Sequence, residues 1–309
     1  MNLEPINQKK LYGFNDEFNH LIYLYSNNKF PNKILLSGEK GSGKCTFAYH
    51  LINFILSADE DNKYDKKNFK IYENNKSFIL VNNKSCPNFY LIDVDIEKKN
   101  IDIEKIRELS NKINKSSFNN KPKFILIDNI EFLNKNSVNA LLKILEEPND
   151  NTNFILIHNN KKILDTLKSR CLNFKISLTH QKSIDITNKI IDDNILNFLN
   201  DDFVSYYYTP GYYLNLINFA NEFKIDLKKL SLKDLLKLII KENYYKKNSS
   251  ISYFLNNLIE LFFRKNNHLL TDKILNYYSY FVKKIDDTKK FNLDEESLFM
   301  EFNDKILNG

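Results

Sequence analysis

The sequence predicts an α/β domain with a mostly parallel sheet, followed by all-helical segments. Short apolar runs at Lys33–Ser37, 89–94, Lys123–Ile127 and 153–157 alternate with helical patterns, as in a parallel sheet covered on both faces. A glycine-rich turn joins the first run to a helix. From about residue 180 the periodicity becomes mainly helical, as in 227–240 and 251–263. We therefore expect an α/β domain over 1–175, a helical domain over 176–230 and a second helical domain over 231–309.

The elements follow in order. Lys33–Ser37 (KILLS) is a short apolar run stopped by glycines, and 43–57 then reads as an amphipathic helix. The stretch 59–76 is charged and poorly periodic, which predicts a surface insertion. The run 89–94 and Lys123–Ile127 (KFILI), introduced by Pro122, read as buried strands. Helical periodicity over 137–147 is stopped by Pro148, and 153–157 (NFILI) is a further buried strand.

With 309 residues, 42% hydrophobic and 14% aromatic, the chain has ample material for a core and does not read as disordered. The formal charge of +6 comes from 45 Lys plus Arg against 39 Asp plus Glu, too mild an excess to demand a nucleic-acid face. Cys45, Cys86 and Cys171 lie far apart, with neither a CxxC pair nor zinc-ligand spacing, which suits a reducing cytosol. Residues 1–10 carry no apolar signal core and no apolar run is long enough to span a bilayer. The expectation is a cytoplasmic protein with no membrane partner.

Gly38, Glu39, Lys40, Gly41, Ser42, Gly43 and Lys44 match the G-x-x-x-x-G-K core of a phosphate-binding loop. Backbone N–H groups and the positive end of the following helix would cradle phosphates, with Lys44 reaching the terminal ones. The chain has only six glycines and three fall in this stretch, where other residues cannot adopt the backbone required. Cys45 then departs from the pattern, because Mg²⁺ wants the oxygen of a Ser or Thr there and a thiol is soft. Thr46 lies about 100° further round the helix and does not simply substitute.

Lys123–Ile127 followed by Asp128 has the form of the second phosphate-site strand, with Asp128 able to hold a Mg²⁺ shell. Motor ATPases place a Glu next, to polarise the attacking water; here it is Asn129, whose amide cannot act as a base. Glu131, two positions beyond, is no assured replacement. The candidate nucleotide site is thus Gly38 to Lys44 with Cys45, Thr46 and Asp128. It is degenerate for ATP or ADP with Mg²⁺, and binding without efficient hydrolysis is expected.

Ser169, Arg170 and Cys171 form the third feature. The chain holds three arginines, Arg107, Arg170 and Arg264, against 42 lysines, so an Arg here departs from the background. Its planar fork suits a phosphate where lysine offers a point charge. Arg170 is the candidate catalytic residue, an arginine finger acting in trans on a neighbour's γ-phosphate; an ordinary structural ion pair is the alternative.

The order NALLKILEEP (139–148), the strand at 154–157, then Ser169-Arg170-Cys171 resembles the bacterial clamp-loader AAA+ subunits of DNA polymerase III. Gly43-Lys-Cys-Thr-Phe-Ala-Tyr49 resembles the delta-prime family among them. Weaker likenesses are Leu11-Tyr-Gly13, Cys86-Pro-Asn-Phe89, the stretch 101–107, Thr209-Pro-Gly211 and Asn292-Leu-Asp294. The resemblance is strong over 30–175 and faint over 180–290. It implies a RecA-like AAA+ P-loop domain, an all-helical lid and an all-helical collar for oligomerisation. It implies a stator with little or no ATPase activity of its own, offering Arg170 to a neighbour in the polymerase holoenzyme. Implied partners are the tau/gamma and delta subunits and, through the complex, the sliding clamp and primer–template DNA.

Two departures stand out. Some members carry a four-cysteine zinc module, and 58–85 has no cysteine, so no zinc is expected. Tyr212 and Tyr213 stand where nucleotide-sensing lids would offer an Arg. An active tau/gamma subunit should show a Thr after Lys44, an acidic pair at 128–129 and zinc cysteines, none of which is present. A stand-alone P-loop NTPase or kinase leaves the LEEP and SRC stretches unexplained. Lys228, Lys229, Lys233 and Lys237 alternate with leucines, more the pattern of a solvated amphipathic helix than of a DNA-binding face.

Overall fold

The computed structural model describes residues 1–94, 100–113, 119–147, 151–160, 163–247, 249–266, 272–291 and 293–308. Pro148 and Asn292 lie outside the described residues. The chain divides into two units, one of 1–182 with 209–211, the other of 183–208 with 212–309.

The first unit is built on a parallel five-stranded sheet of β1 (Lys33–Ser37), β2 (Phe89–Ile92), β3 (Lys123–Ile127), β4 (Thr152–His158) and β5 (Leu172–Lys175), in the order β2-β3-β4-β1-β5. β1 lies between β4 and β5, with Lys33 opposite Phe154 and Ser37 opposite His158. Ile34, Leu35, Leu36, Phe124, Ile125, Leu126 and Ile127 are fully buried, as continuous apolar runs in a two-sided parallel sheet should be. β5 was not anticipated. Its residues are mostly exposed, so it lacks the apolar run that marks the inner strands.

The helices around the sheet include α1 (Asn15–Ser26), α2 (Lys44–Leu56), α3 (Lys76–Asn82), α4 (Ile103–Ile113), α5 (Lys135–Glu146) and the short α6 (Asp165–Lys168). α4 buries Ile106, Leu109 and Ile113 at helical spacing. α5 starts where the Asn134 side chain accepts from the Ser137 amide at 2.8 Å. It buries Val138, Leu141 and Leu145, and the Ser137 hydroxyl donates to Ile101 O at 2.8 Å.

The helix expected over 43–57 forms, but it is buried nearly all round instead of presenting a solvated face. Part of the cover comes from 59–76, the expected surface insertion, which folds back on itself. Asp65 and Lys70 exchange backbone hydrogen bonds, and Ile71 N donates to Lys9 O at 2.8 Å. Asn75 caps α3 by accepting from Phe78 N and donates from Nδ2 to Asn62 O, both within hydrogen-bond range. Two polar side chains of α2 find partners in this cover: His50 Nδ1 meets Tyr64 Oη at 2.9 Å, and Asn53 Nδ2 donates to Asn75 Oδ1 at 2.8 Å. Buried polar groups are mostly paired, and these partners, distant in sequence, help to make this a core helix.

The second unit contains most of α7 (His180–Ile191), then α8 (Asp201–Val204), α9 (Pro210–Phe223), α10 (Leu232–Lys241), α11 (Tyr244–Lys247), α12 (Ser249–Lys265), α13 (Asp272–Phe291) and α14 (Glu295–Phe302). Most of its buried apolar residues form one cluster running from Ile195 to Leu307. Phe281 and Phe302 are fully buried and pack edge to face at 5.3 Å; burying each ring contributes about 1.5–3 kcal/mol. The helix expected over 227–240 begins only at Leu232. The Ser231 hydroxyl accepts from Asp234 N, a cap that outweighs the apolar pattern upstream. No helix among the described residues is long and apolar enough to cross a membrane.

Candidate functional site

β1 ends at Ser37, and the chain turns through Gly38, Glu39, Lys40, Gly41, Ser42 and Gly43 into α2, which starts at Lys44. Gly41 and Gly43 take φ of +83° and +93°, the left-handed region in which side chains are strained. Gly38 is needed for space: a Cβ there would lie 2.3 Å from Ile176 O. Glu39 and Lys40 are exposed, while Ser42 is buried. The loop leads into the positive end of a long helix, the arrangement that receives phosphate.

Lys44 is buried and donates from Nζ to Glu39 O at 2.6 Å and to Gly38 O at 3.1 Å. Burial lowers its pKa to about 8, against the opposing pull of Asp128 and Glu131. The rest of the loop is held by 209–211. Thr209 Oγ1 donates to Lys40 O at 2.9 Å and Gly211 N donates to Gly41 O at 2.9 Å.

Asp128 follows β3 and Cys45 is the second residue of α2. The Cys45 thiol lies beside the Asp128 carboxylate, and burial, then the Asp128 charge, pushes the thiol pKa well up. The Asp128 carboxyl is raised to about 6, first by burial and next by the neighbouring Asp93 charge. The cradle of loop amides fits a phosphate chain. The metal position fits Mg²⁺ poorly, since a protonated thiol stands where an oxygen ligand is wanted. Thr46 lies one residue on in α2 and is half-buried.

Asn129 is left-handed, with φ of +56°, and joins a network that sequence reasoning missed. Its Nδ2 donates to Asp93 Oδ1 at 2.8 Å, and its Oδ1 accepts from Asn159 Nδ2 at 2.7 Å. Asn159 Nδ2 also donates to Glu131 Oε1 at 3.0 Å. Asp93, Asn129 and Asn159 stand just beyond the carboxyl ends of β2, β3 and β4, where open parallel sheets bind ligands. A polar residue at or near the end of each apolar run was the signal that could have found them. His158, the last residue of β4, is buried, and burial lowers its pKa.

Arg170 makes its contacts elsewhere. Its Nε donates to Glu146 Oε1 at 3.0 Å, Nη2 donates to the same oxygen, and Nη1 donates to Thr166 O at 2.9 Å. The structure therefore brings Gly38 to Cys45 and Asp128 together and keeps the three donor nitrogens of Arg170 on its own chain's oxygens.

A parallel sheet in this order, with a phosphate-type loop between β1 and α2 and helices beyond, defines an α/β P-loop domain of the AAA+ class followed by helical structure. Consistent with that fold, a DNA polymerase III gamma subunit-related protein from Thermotoga maritima matches with a TM-score of 0.51 at 18% identity, over 91% of this chain and 96% of that one. Residues 14–180 match the model of the family described as DNA polymerase III, delta subunit, and the chain belongs to that family. The delta-prime subunit of Buchnera aphidicola subsp. Baizongia pistaciae is 32% identical over 163 residues, 50% of this chain and 46% of that protein. The gamma subunit of Buchnera aphidicola subsp. Schizaphis graminum is 32% identical over 161 residues, 52% of this chain and 42% of that protein. The chain thus spans about half the length of these curated relatives.

Proposed function

We propose that this chain is the delta-prime stator of a DNA polymerase III clamp loader. In this reading it helps place the sliding clamp on primed DNA in the cytoplasm, with tau/gamma and delta subunits as direct partners. The clamp and primer–template DNA are met through the complex. Residues 176–230 act as the lid and 231–309 as the collar.

The carrying observation is that the Cys45 thiol, in the position of the metal-binding hydroxyl, lies beside the Asp128 carboxylate. In a metal-dependent ATPase that carboxylate would serve the Mg²⁺ shell, and here its neighbour is a thiol. Asn129, in the position of the base, is committed to Asp93 and Asn159. A phosphate cradle without its metal ligand and base binds nucleotide weakly or not at all and turns it over poorly. Gly38, Glu39, Lys40, Gly41, Ser42, Gly43 and Lys44 would hold the phosphates and Lys44 would neutralise them. Bound nucleotide would supply the cradle with negative charge, and zinc has no part in the reading. Arg170, on this reading, serves a neighbour's nucleotide.

The test is the purified chain with Mg-ATP, alone and mixed with the proposed partner subunits. Turnover near the assay floor and co-purification with the partners are expected. Robust multiple turnover by the chain alone would support a tau/gamma-type motor instead.

A further inference from the structure

The geometry points to Glu146 as the residue that aims Arg170, holding its guanidinium so that two outward N–H groups remain for a phosphate on another subunit. This rests on the reading of Arg170 as a finger and adds the group that positions it.

A guanidinium has five N–H donors fixed in one plane. Glu146 Oε1 takes one from Nε and one from Nη2, and the Thr166 carbonyl takes one from Nη1. That leaves one donor on Nη1 and one on Nη2, and such a pair matches two oxygens of a phosphate. The two anchors come from different elements: Glu146 is the last residue of α5 and Thr166 lies in α6, four residues before Arg170. Between them they fix both the position and the rotation of the fork.

The ion pair is partly solvated, with side chains 33% and 51% exposed, and a pair of that kind adds little to stability. Its larger effect is on direction. A free arginine samples many rotamers, and ordering it before docking removes that entropy from the encounter. A lysine could not be held this way, because its ammonium offers no plane to orient.

The test uses a loader assembled from this chain and its proposed ATPase partners, with isolated-chain NMR beside it. Only three arginines are present, so the Arg170 Nε–H signal can be assigned with the Arg170→Ala variant. In the wild-type chain that signal should be restrained, and Glu146→Ala should average it. Glu146→Ala should also lower the loader's kcat about tenfold with KM within about twofold. Glu146→Gln should recover most of the rate, because its amide oxygen can accept the same two N–H bonds. A Glu146→Ala loader with wild-type or faster turnover, beside a slow Arg170→Ala loader, would overturn the aiming role and leave the finger standing. An Arg170→Ala loader at the wild-type rate would sink the finger reading itself. A restrained Nε–H signal in Glu146→Ala would overturn the aiming role independently of any loader.

Discussion

The amide of Gly211 donates to the carbonyl of Gly41 at 2.9 Å, and the two glycines meet with no space for a side chain. A Cβ on Gly211 would lie 2.7 Å from Gly41 Cα and 2.9 Å from Gly41 O, both backbone atoms that cannot swing aside. Gly211→Ala should therefore destabilise the first unit by about 1–3 kcal/mol, as overpacking generally does. Urea unfolding measures this, and a wild-type midpoint would mean that the two backbones do not meet.

Cys45→Ser replaces the thiol with an oxygen that can join a Mg²⁺ shell beside Asp128. Nucleotide affinity, read by titrating a fluorescent ATP analogue, should then tighten about tenfold with Mg²⁺ and stay unchanged in EDTA. Equal affinities for both proteins in Mg²⁺ would show that the residue after Lys44 is not what limits the site.

Asp128 titrates at about 6 in the folded chain, because burial and then the Asp93 charge disfavour its ionised form. That lies above the value of about 4 in an unfolded chain, so its contribution to stability is complete below pH 4 and is lost as pH rises through 6. Asp128→Asn keeps an oxygen for the Asn129 amide, which donates to Asp128 Oδ1 at 2.8 Å. The variant should be the more stable at pH 7 by up to about 2 kcal/mol, with the gap narrowing toward pH 4. Denaturation midpoints across that range decide it, and a variant weaker than wild type at pH 7 would refute it.

His50 has the opposite sign. It is fully buried, its Nε2–H donates to Gln8 O at 3.0 Å and its Nδ1 accepts from Tyr64. Burial lowers its pKa to about 4, below the ordinary 6.5. Its contribution is complete above pH 6.5 and is lost as pH falls through 4, amounting to as much as about 3 kcal/mol. The ring NMR signals of His50 should report a neutral Nε2–H tautomer at pH 5; a charged ring there would disprove the burial argument.

The phosphate loop was legible because its glycines answer a local backbone demand, and the inner strands because two-sided burial writes an unbroken apolar run. β5 was not legible, since an exposed edge strand carries no such run. The burial of α2 was hidden for a different reason. Part of its cover is 59–76, polar in composition and mostly exposed, whose buried Tyr64 and Asn75 meet His50 and Asn53.

The sequence by itself determined the P-loop, its missing hydroxyl at Cys45, the amide at Asn129 and the isolated arginine at Arg170, because each is a choice of side-chain chemistry at one position. Only the tertiary structure decided that Cys45 lies beside Asp128, that Asp93 and Asn159 occupy Asn129, that Gly211 meets Gly41, and that Glu146 holds Arg170. Those pairs are separated by 24 to 170 positions, and a hydrogen bond depends on distance and direction in space, which composition and periodicity along the chain do not carry.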